Sequence, residues 1–338
     1  MKMLVFLADG MDYELLRSGE VETPFINELM NRGAHGEMRI IYEEERLRDG
    51  GEVPYPYSEW VTGPIEEGGG ALLYYSMTPL SVTCICTGML PWNNQVSHEK
   101  DFKIYSRIHI KSPLVWEILN EKGVRAIEYG LPPPVAPPHH PTNRFIYPSD
   151  WNEDKSSAIL HDGTELPIPE LYRRDLKASE DTFNLWKERI EESDFEVIFL
   201  YYKGIDIVNH LFFDIGTPER KAKWRGEEEE FTSLVVHEFY RLADDYLREL
   251  SAGFDYVMVI SDHGSERSHH TERATFILVG PTIPPGEVYG VRSIDVTPTI
   301  LHLMEADGDY KFDGVNLFLS QSEQEEELRR LRALGYID

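Results

Sequence analysis

Three aspartates follow apolar runs in this chain. Asp9 closes the run 3–8 (MLVFLA), Asp206 comes shortly after 196–202 (EVIFLYY), and Asp262 comes shortly after 256–260 (YVMVI). Histidines accompany them. His210 stands at i+4 from Asp206, His263 directly follows Asp262, and His269 and His270 precede a further apolar run, 275–279. Mixed carboxylate and imidazole ligands suit Zn²⁺, and also Mn²⁺ or Fe²⁺, whereas Ca²⁺ favours more oxygens and no imidazole. Singly, each signal is weak: an Asp behind a strand is commonly a turn former or helix cap, and Asp-His-Gly can be a plain turn. Together, three aspartates, His210, His263 and at least one of His269 and His270 exceed what one catalytic ion with an open position uses. They suit two ions, which in two-metal sites lie ~3.5–4 Å apart and clamp the oxygens of an in-line displacement.

Such a site needs a nucleophile. Residues 76–91 read SMTPLSVTCICTGMLP, in which Thr78 precedes Pro79 and 81–87 looks like the first turns of a helix. A hydroxyl at a helix N-terminus sits in a positive dipole field beside free N–H groups, a place suited to an oxyanion or phosphate. Metal ions lower the pKa of a bound hydroxyl strongly, so Thr78 is the candidate metal-activated nucleophile. Without the ligands around it, the same Thr would read as an ordinary N-cap.

The elements that must position these residues follow from the apolar pattern. Continuous apolar runs at 3–8, 196–202, 256–260 and 275–279 predict strands buried on both faces, and 36–42 and 125–129 predict two more. Helices are expected over 24–33, with Pro24 in the first turn and Gly33 as C-cap, and over 114–122, 231–250, 296–304 and 324–334. Buried strands alternating with helices predict an α/β fold with a largely parallel central sheet flanked by helices. Ligands gather at the carboxyl ends of strands in such sheets, which is where the aspartates fall. We expect one domain over 1–338, with inserted cap segments at about 43–70 and 99–170, where Gly, Glu and Pro break the alternation and aromatic residues argue against a free linker.

Composition narrows the partners. With 33 Lys plus Arg against 60 Asp plus Glu, the net charge is 33 − 60 = −27. That excess disfavours binding to nucleic-acid polymers and to anionic membranes. No stretch approaches the ~20 apolar residues that span a bilayer, and the run ending at Asp9 is too short for a signal-peptide core. The two cysteines, Cys84 and Cys86, are separated by one residue and make no disulfide framework, which suits a reducing compartment. A cytoplasmic protein acting on a small molecule is expected.

At this point the sequence resembles the alkaline phosphatase superfamily, in particular its nucleotide pyrophosphatase / type I phosphodiesterase branch. The matching segments run in the family's order: Leu7 to Gly10, Thr23 to Ile26 leading to Arg32-Gly33, Thr78 to Gly88 with Pro91, Asp206 to His210, Ser261 to Gly264, His270 ahead of Phe276, and Asp295 to Thr299. The ending 331–336 is similar to a tail of bacterial and archaeal members. The resemblance implies an alkaline phosphatase-like fold and two divalent ions, Zn²⁺ foremost. It implies that Asp206, His210 and His270 hold one ion, and that Asp9, Asp262 and His263, with Thr78, hold the other. It further implies two-step phosphoester hydrolysis through a phosphorylated Thr78. Where family members carry His-Gly, this chain has Asn94-Gln95, and Glu99 stands near where a phosphate-contacting Asn would fall; Asn93, Asn94 and His98 are the candidates for that contact. Sulfatases of the superfamily need a Cys or Ser that becomes formylglycine, followed by an Arg, a pattern that Thr78 and Val82 do not fit.

The reading is therefore a phosphodiesterase or nucleotide pyrophosphatase acting on a small phosphoester. A phosphomonoesterase or phosphonate hydrolase of the same fold is the alternative, and a catalytically silent module binding metal or a phosphorylated ligand is another. Tyr55, Tyr57, Trp60, Tyr74, Tyr75 and Trp92 are candidates to stack on a base or sugar, and Lys103 and Arg107 are candidate phosphate contacts.

Overall fold

The computed structural model describes residues 1–40, 78–90, 93, 110–132, 135, 150–151, 157–159, 163–210, 228–266, 269–271 and 273–318. The chain opens with strand β1 (Met3–Ala8), helices α1 (Tyr13–Ser18) and α2 (Pro24–Arg32), and strand β2 (Ala34–Arg39). Helix α3 (Thr78–Thr87), helix α4 (Val115–Glu121) and strand β3 (Ala126–Tyr129) come next. Three short strands, β4 (Asp150–Trp151), β5 (Ser157–Ile159) and β6 (Glu165–Pro167), lead into the long helix α5 (Ile168–Glu191). Then follow β7 (Val197–Tyr202), the short helix α6 (Gly204–Val208), α7 (Glu228–Leu250) and β8 (Tyr256–Ile260). A hairpin of β9 (Gly264–Glu266) and β10 (His269–Thr271) precedes β11 (Arg273–Val279), the two-residue strands β12 (Gly286–Glu287) and β13 (Val291–Arg292), and α8 (Val296–Leu303).

The continuous apolar runs become the centre of an eight-stranded sheet, ordered β12-β2-β11-β8-β1-β7-β3 with β13 also on β2. β1 lies between β7 and β8, parallel to both, and β3 extends the parallel set on the far side of β7. β11 runs antiparallel to both β8 and β2. The largely parallel α/β sheet expected from the sequence is the one the chain forms.

Every position of β1, β7 and β8 is buried, because each face of the sheet carries its own helical layer. Leu4, Phe6 and Ala8 of β1 face a core built with Leu16, Ile26 and Leu29 of α1 and α2, Trp186 of α5, and Phe239 and Tyr240 of α7. Met3, Val5 and Leu7 face the opposite core, with Leu80, Val82 and Ile85 of α3, Ile118 of α4 and Ile300 of α8. Burying one such side chain contributes about 1.5–3 kcal/mol, so the alternation of β1 residues between two cores fixes its register firmly.

Gly33 is the C-cap of α2, as expected, with an extended φ of −136. Its role is space: a Cβ there would lie 2.2 Å from the carbonyl oxygen of Leu278 on β11. Within the expected cap span 99–170, α4 packs beside the sheet and β3 is its edge strand, while β4, β5 and β6 form a separate antiparallel sheet. The span 43–70 and the helix expected over 324–334 lie outside the described residues. Among the described residues, no helix is long and apolar enough to cross a membrane.

Candidate metal centre and active site

Three adjacent parallel strands, β8, β1 and β7, end on one edge of the sheet, and each is followed by one of the aspartates. Asp9 is the first residue beyond β1, its N–H donating to the Tyr202 carbonyl at 2.8 Å. Gly10, at φ 74, turns the chain sharply; a Cβ there would lie 2.8 Å from Ser265 Oγ and 3.3 Å from Asp206 Cα. Asp206 lies within α6, which starts two residues after β7, and His210 follows one turn later, with its Nε2 at 3.2 Å from Asp206 Oδ1. Asp262 and His263 follow β8, and both are fully buried.

The hairpin resolves the adjacent histidines. His270 pairs with Ser265 and His269 with Glu266, and neighbouring strand residues point to opposite faces. His270 is the one that turns inward: its ring stacks on His263 at 3.6 Å with 16° between planes.

The inward side chains fall into two overlapping groups able to hold an ion, one of Asp206, His263 and His270 and one of Asp9, Asp262 and His263. Asp206 Oδ1 lies 3.4 Å from His270 Nε2 and 3.8 Å from His263 Nε2. His263 Nε2 lies 3.1 Å from Asp9 Oδ1 and 3.7 Å from Asp262 Oδ2, and its Nδ1 faces the Gly264 carbonyl at 3.0 Å, which orients the ring. Nε2 of His210 faces Nε2 of His270 at 2.9 Å. His263 is common to the two groups.

Thr78 opens α3, as the sequence placed it, although the helix begins at Thr78 itself. Its Oγ1 lies 3.4 Å from Asp9 Oδ1 and 3.4 Å from His263 Nε2. One turn on, Ser81 Oγ donates to the backbone carbonyl of Asp262, which pins the first turn of α3 to the residue after β8. Asn93 Nδ2 donates to both carboxylate oxygens of Asp313, at 2.9 and 2.8 Å. Asn94, His98, Tyr55, Tyr57, Trp60, Tyr74, Tyr75, Trp92, Lys103 and Arg107 lie outside the described residues.

Asp9, Asp206 and Asp262 are buried, and among the described residues their ion pairs run only to histidines. Both oxygens of Asp262 are buried without a hydrogen-bond partner. Burial, and next the charge of Asp9, push the Asp262 carboxyl well above its ordinary range. Burial also raises Asp206, but hydrogen bonds from His210 and His270 outweigh it and hold that carboxyl low. For His263, burial disfavours the charged ring, yet Asp262, Asp9 and Asp206 overcome it and raise its pKa to about 10. Buried carboxylates with unused oxygens facing imidazole nitrogens are the donor set that divalent transition metals take, so these residues fit metal ions.

One residue that the sequence motifs do not include also belongs here. Tyr201 was legible only as part of a buried strand, yet its hydroxyl donates to Asp9 Oδ2. Burial and then the neighbouring carboxylates Asp9 and Asp262 push its phenol well above its ordinary pKa, so it remains a donor. Ser81 stood inside the matched segment Thr78 to Gly88 but was given no role there.

A sequence profile of the type I phosphodiesterase / nucleotide pyrophosphatase family matches residues 74–280. The chain belongs to that family, and with it to the alkaline phosphatase superfamily of hydrolases that act on phosphoester bonds. No curated protein sequence matches the chain. Among solved structures, the fold is similar to that of a 2-O GAG sulfatase (TM-score 0.59, 12% identity, covering 94% of this chain and 73% of that one). It is also similar to a protein solved with its substrate D-glucosamine-2-N,6-O-disulfate (TM-score 0.54, 11% identity, 94% and 79% covered). A third likeness is to a phosphonate monoester hydrolase from Silicibacter pomeroyi (TM-score 0.50, 15% identity, 94% and 75% covered). At these identities the likenesses show the fold.

Proposed function

We propose that the chain is a two-metal phosphoester hydrolase of the phosphodiesterase / nucleotide pyrophosphatase type, with Thr78 as nucleophile. The observation that carries this reading is the position of Thr78 Oγ1, 3.4 Å from both Asp9 Oδ1 and His263 Nε2 at the start of α3. Asp206, His210 and His270 would hold one ion, and Asp9, Asp262, His263 and Thr78 the other, with Zn²⁺ the first candidate and Mn²⁺ or Fe²⁺ next. Bound there, the ions would neutralise charge on the phosphoryl oxygens and lower the pKa of a hydroxyl.

The chain's own groups supply the rest. The first turn of α3 presents free N–H groups and the positive end of its dipole to the oxygens of a bound phosphoryl group. Thr78 Oγ1 bonds to phosphorus as the bond to the leaving oxygen breaks; the Oγ1 proton passes through solvent to the leaving oxygen, which departs protonated and leaves a phosphothreonine. Water then attacks phosphorus from the opposite side, the Oγ1–P bond breaks, and Thr78 regains a proton. The burial of Asp9, Asp262 and His263 keeps bulk water from the ligand side of the site, where unscreened charge acts most strongly.

A small phosphoester substrate in a reducing, cytoplasmic setting belongs to the same reading. Its supports are the net charge of −27, which repels polyanions, and the free, buried thiols of Cys84 and Cys86. The test is hydrolysis of bis-p-nitrophenyl phosphate against p-nitrophenyl phosphate by metal-stripped protein reloaded with Zn²⁺ or Mn²⁺. Faster diester cleavage is expected. A preference for the monoester would move the assignment to a phosphomonoesterase. Two bound ions with no turnover of these or of a natural phosphoester panel would make the chain a binding module.

A further inference from the structure

We infer that Tyr201 is a positioning residue for the ion held by Asp9: its hydroxyl occupies Asp9 Oδ2 and leaves Oδ1 as the single coordinating oxygen. The inference rests on the two-metal reading above and deepens it. The pairing of β1 with β7 places Leu7 opposite Tyr201, and Leu7 and Tyr201 share one core. Asp9, two residues beyond Leu7, returns to that same face. Tyr201 and Asp9 are both buried, and the Tyr201 hydroxyl donates to Asp9 Oδ2. The other oxygen, Oδ1, is the one that lies 3.1 Å from His263 Nε2 and 3.4 Å from Thr78 Oγ1. One oxygen is therefore turned toward the sheet and bonded, and the other toward the site.

The residue type matters. An Arg or Lys in this place would bring a positive charge that competes with a divalent ion for Asp9. A Phe would leave Oδ2 buried and unpaired and the carboxylate free to rotate. A neutral hydroxyl donor fixes the carboxylate plane without lowering its negative charge, as outer partners of metal ligands do. Tyr202, the next residue, points to the opposite core and hydrogen-bonds Ser179 at 3.0 Å, so it offers a control of the same chemical type.

The experiment is titration of the metal-stripped full chain with Zn²⁺ in competition with a chromophoric chelator, resolving two binding steps. Asp9→Asn identifies which step belongs to Asp9. Tyr201→Phe is expected to weaken that step about 10–100-fold, the range typical for loss of an outer partner, with the other step and Tyr202→Phe within about twofold of wild type. A Tyr201→Phe titration matching wild type, or equal weakening of both steps, would overturn the inference while the two-metal reading stood. Wild-type protein that binds no Zn²⁺ would overturn both. Should Tyr201→Phe fail to fold, 3-fluorotyrosine placed at 201 keeps the ring and hydroxyl. Its ¹⁹F resonance is expected to shift on Zn²⁺ loading, and a resonance unmoved at saturation would overturn the inference.

Discussion

Asp262 and His263 bind protons more tightly in the folded, metal-free chain than free side chains do, and a metal ion competes with those protons. Both pKa values are raised in the folded, metal-free chain, Asp262 by burial and Asp9, and His263 to about 10 by the surrounding carboxylates against the effect of burial. A group whose folded pKa is raised stabilises the fold below its unfolded pKa and loses that contribution as pH rises. For His263 the loss runs from 6.5 up to about 10, and Asp262 acts in the same direction from 3.8 upward. Coordination needs both groups deprotonated, so ion affinity rises over the same window. The metal-free protein should therefore lose thermal stability between about pH 6.5 and 9, while the gain in Tm on adding Zn²⁺ widens. Parallel Tm–pH curves with and without Zn²⁺ would contradict this account. The residue scale was also where the sequence was most informative. Asp9, Asp206, His210, Asp262 and His263 were legible only as a set: singly each has a common structural use as a turn former or helix cap, but together they follow separate buried strands that the fold brings to one sheet edge. Tyr201 was not, since a tyrosine inside an apolar run reads as core and only the register of β7 against β1 turns its hydroxyl onto Asp9.

Elements decide which of these side chains meet. Helix α3 carries Thr78 to the ligands because its apolar residues Leu80, Val82 and Ile85 sit in the core under the sheet and because Ser81 Oγ donates to the Asp262 carbonyl. Removing that bond with Ser81→Ala should cost about 1 kcal/mol of stability. It should also loosen the first turn of α3, reducing turnover roughly tenfold or more, since small misplacements of a reacting group are expensive. Zn²⁺ content should stay at the wild-type level, because no ligand is touched; a fall in metal content would show that Ser81 acts on Asp262 rather than on Thr78. The hairpin β9–β10 shows why element-level reading stopped short. Spacing alone leaves His269 and His270 equivalent and only the family resemblance favours His270; in the folded hairpin His270 pairs with Ser265. The long helix α5 escaped notice because it follows a proline-rich stretch in which no helical period was visible.

For the whole molecule, the order β8, β1, β7 brings three separated aspartates to one edge of a sheet. Continuous apolar runs predicted that sheet well, since strands covered by helices on both faces have no polar side to display. The antiparallel run of β11 was not visible in its apolar sequence, which is the same for either direction; the β9–β10 hairpin reverses the chain before it. The two-residue strands β12 and β13 are too short to leave a period. Two buried clusters on opposite faces hold the sheet apart from the site, so a change at Thr78 should leave the fold and the ligands in place.

That separation makes Thr78→Ala the most direct test of the central claim. The variant should keep two divalent ions per chain by elemental analysis and melt within a few degrees of wild type, while diester hydrolysis falls by at least about a thousandfold, as for loss of a covalent nucleophile. Full turnover by Thr78→Ala with both ions bound would contradict the account.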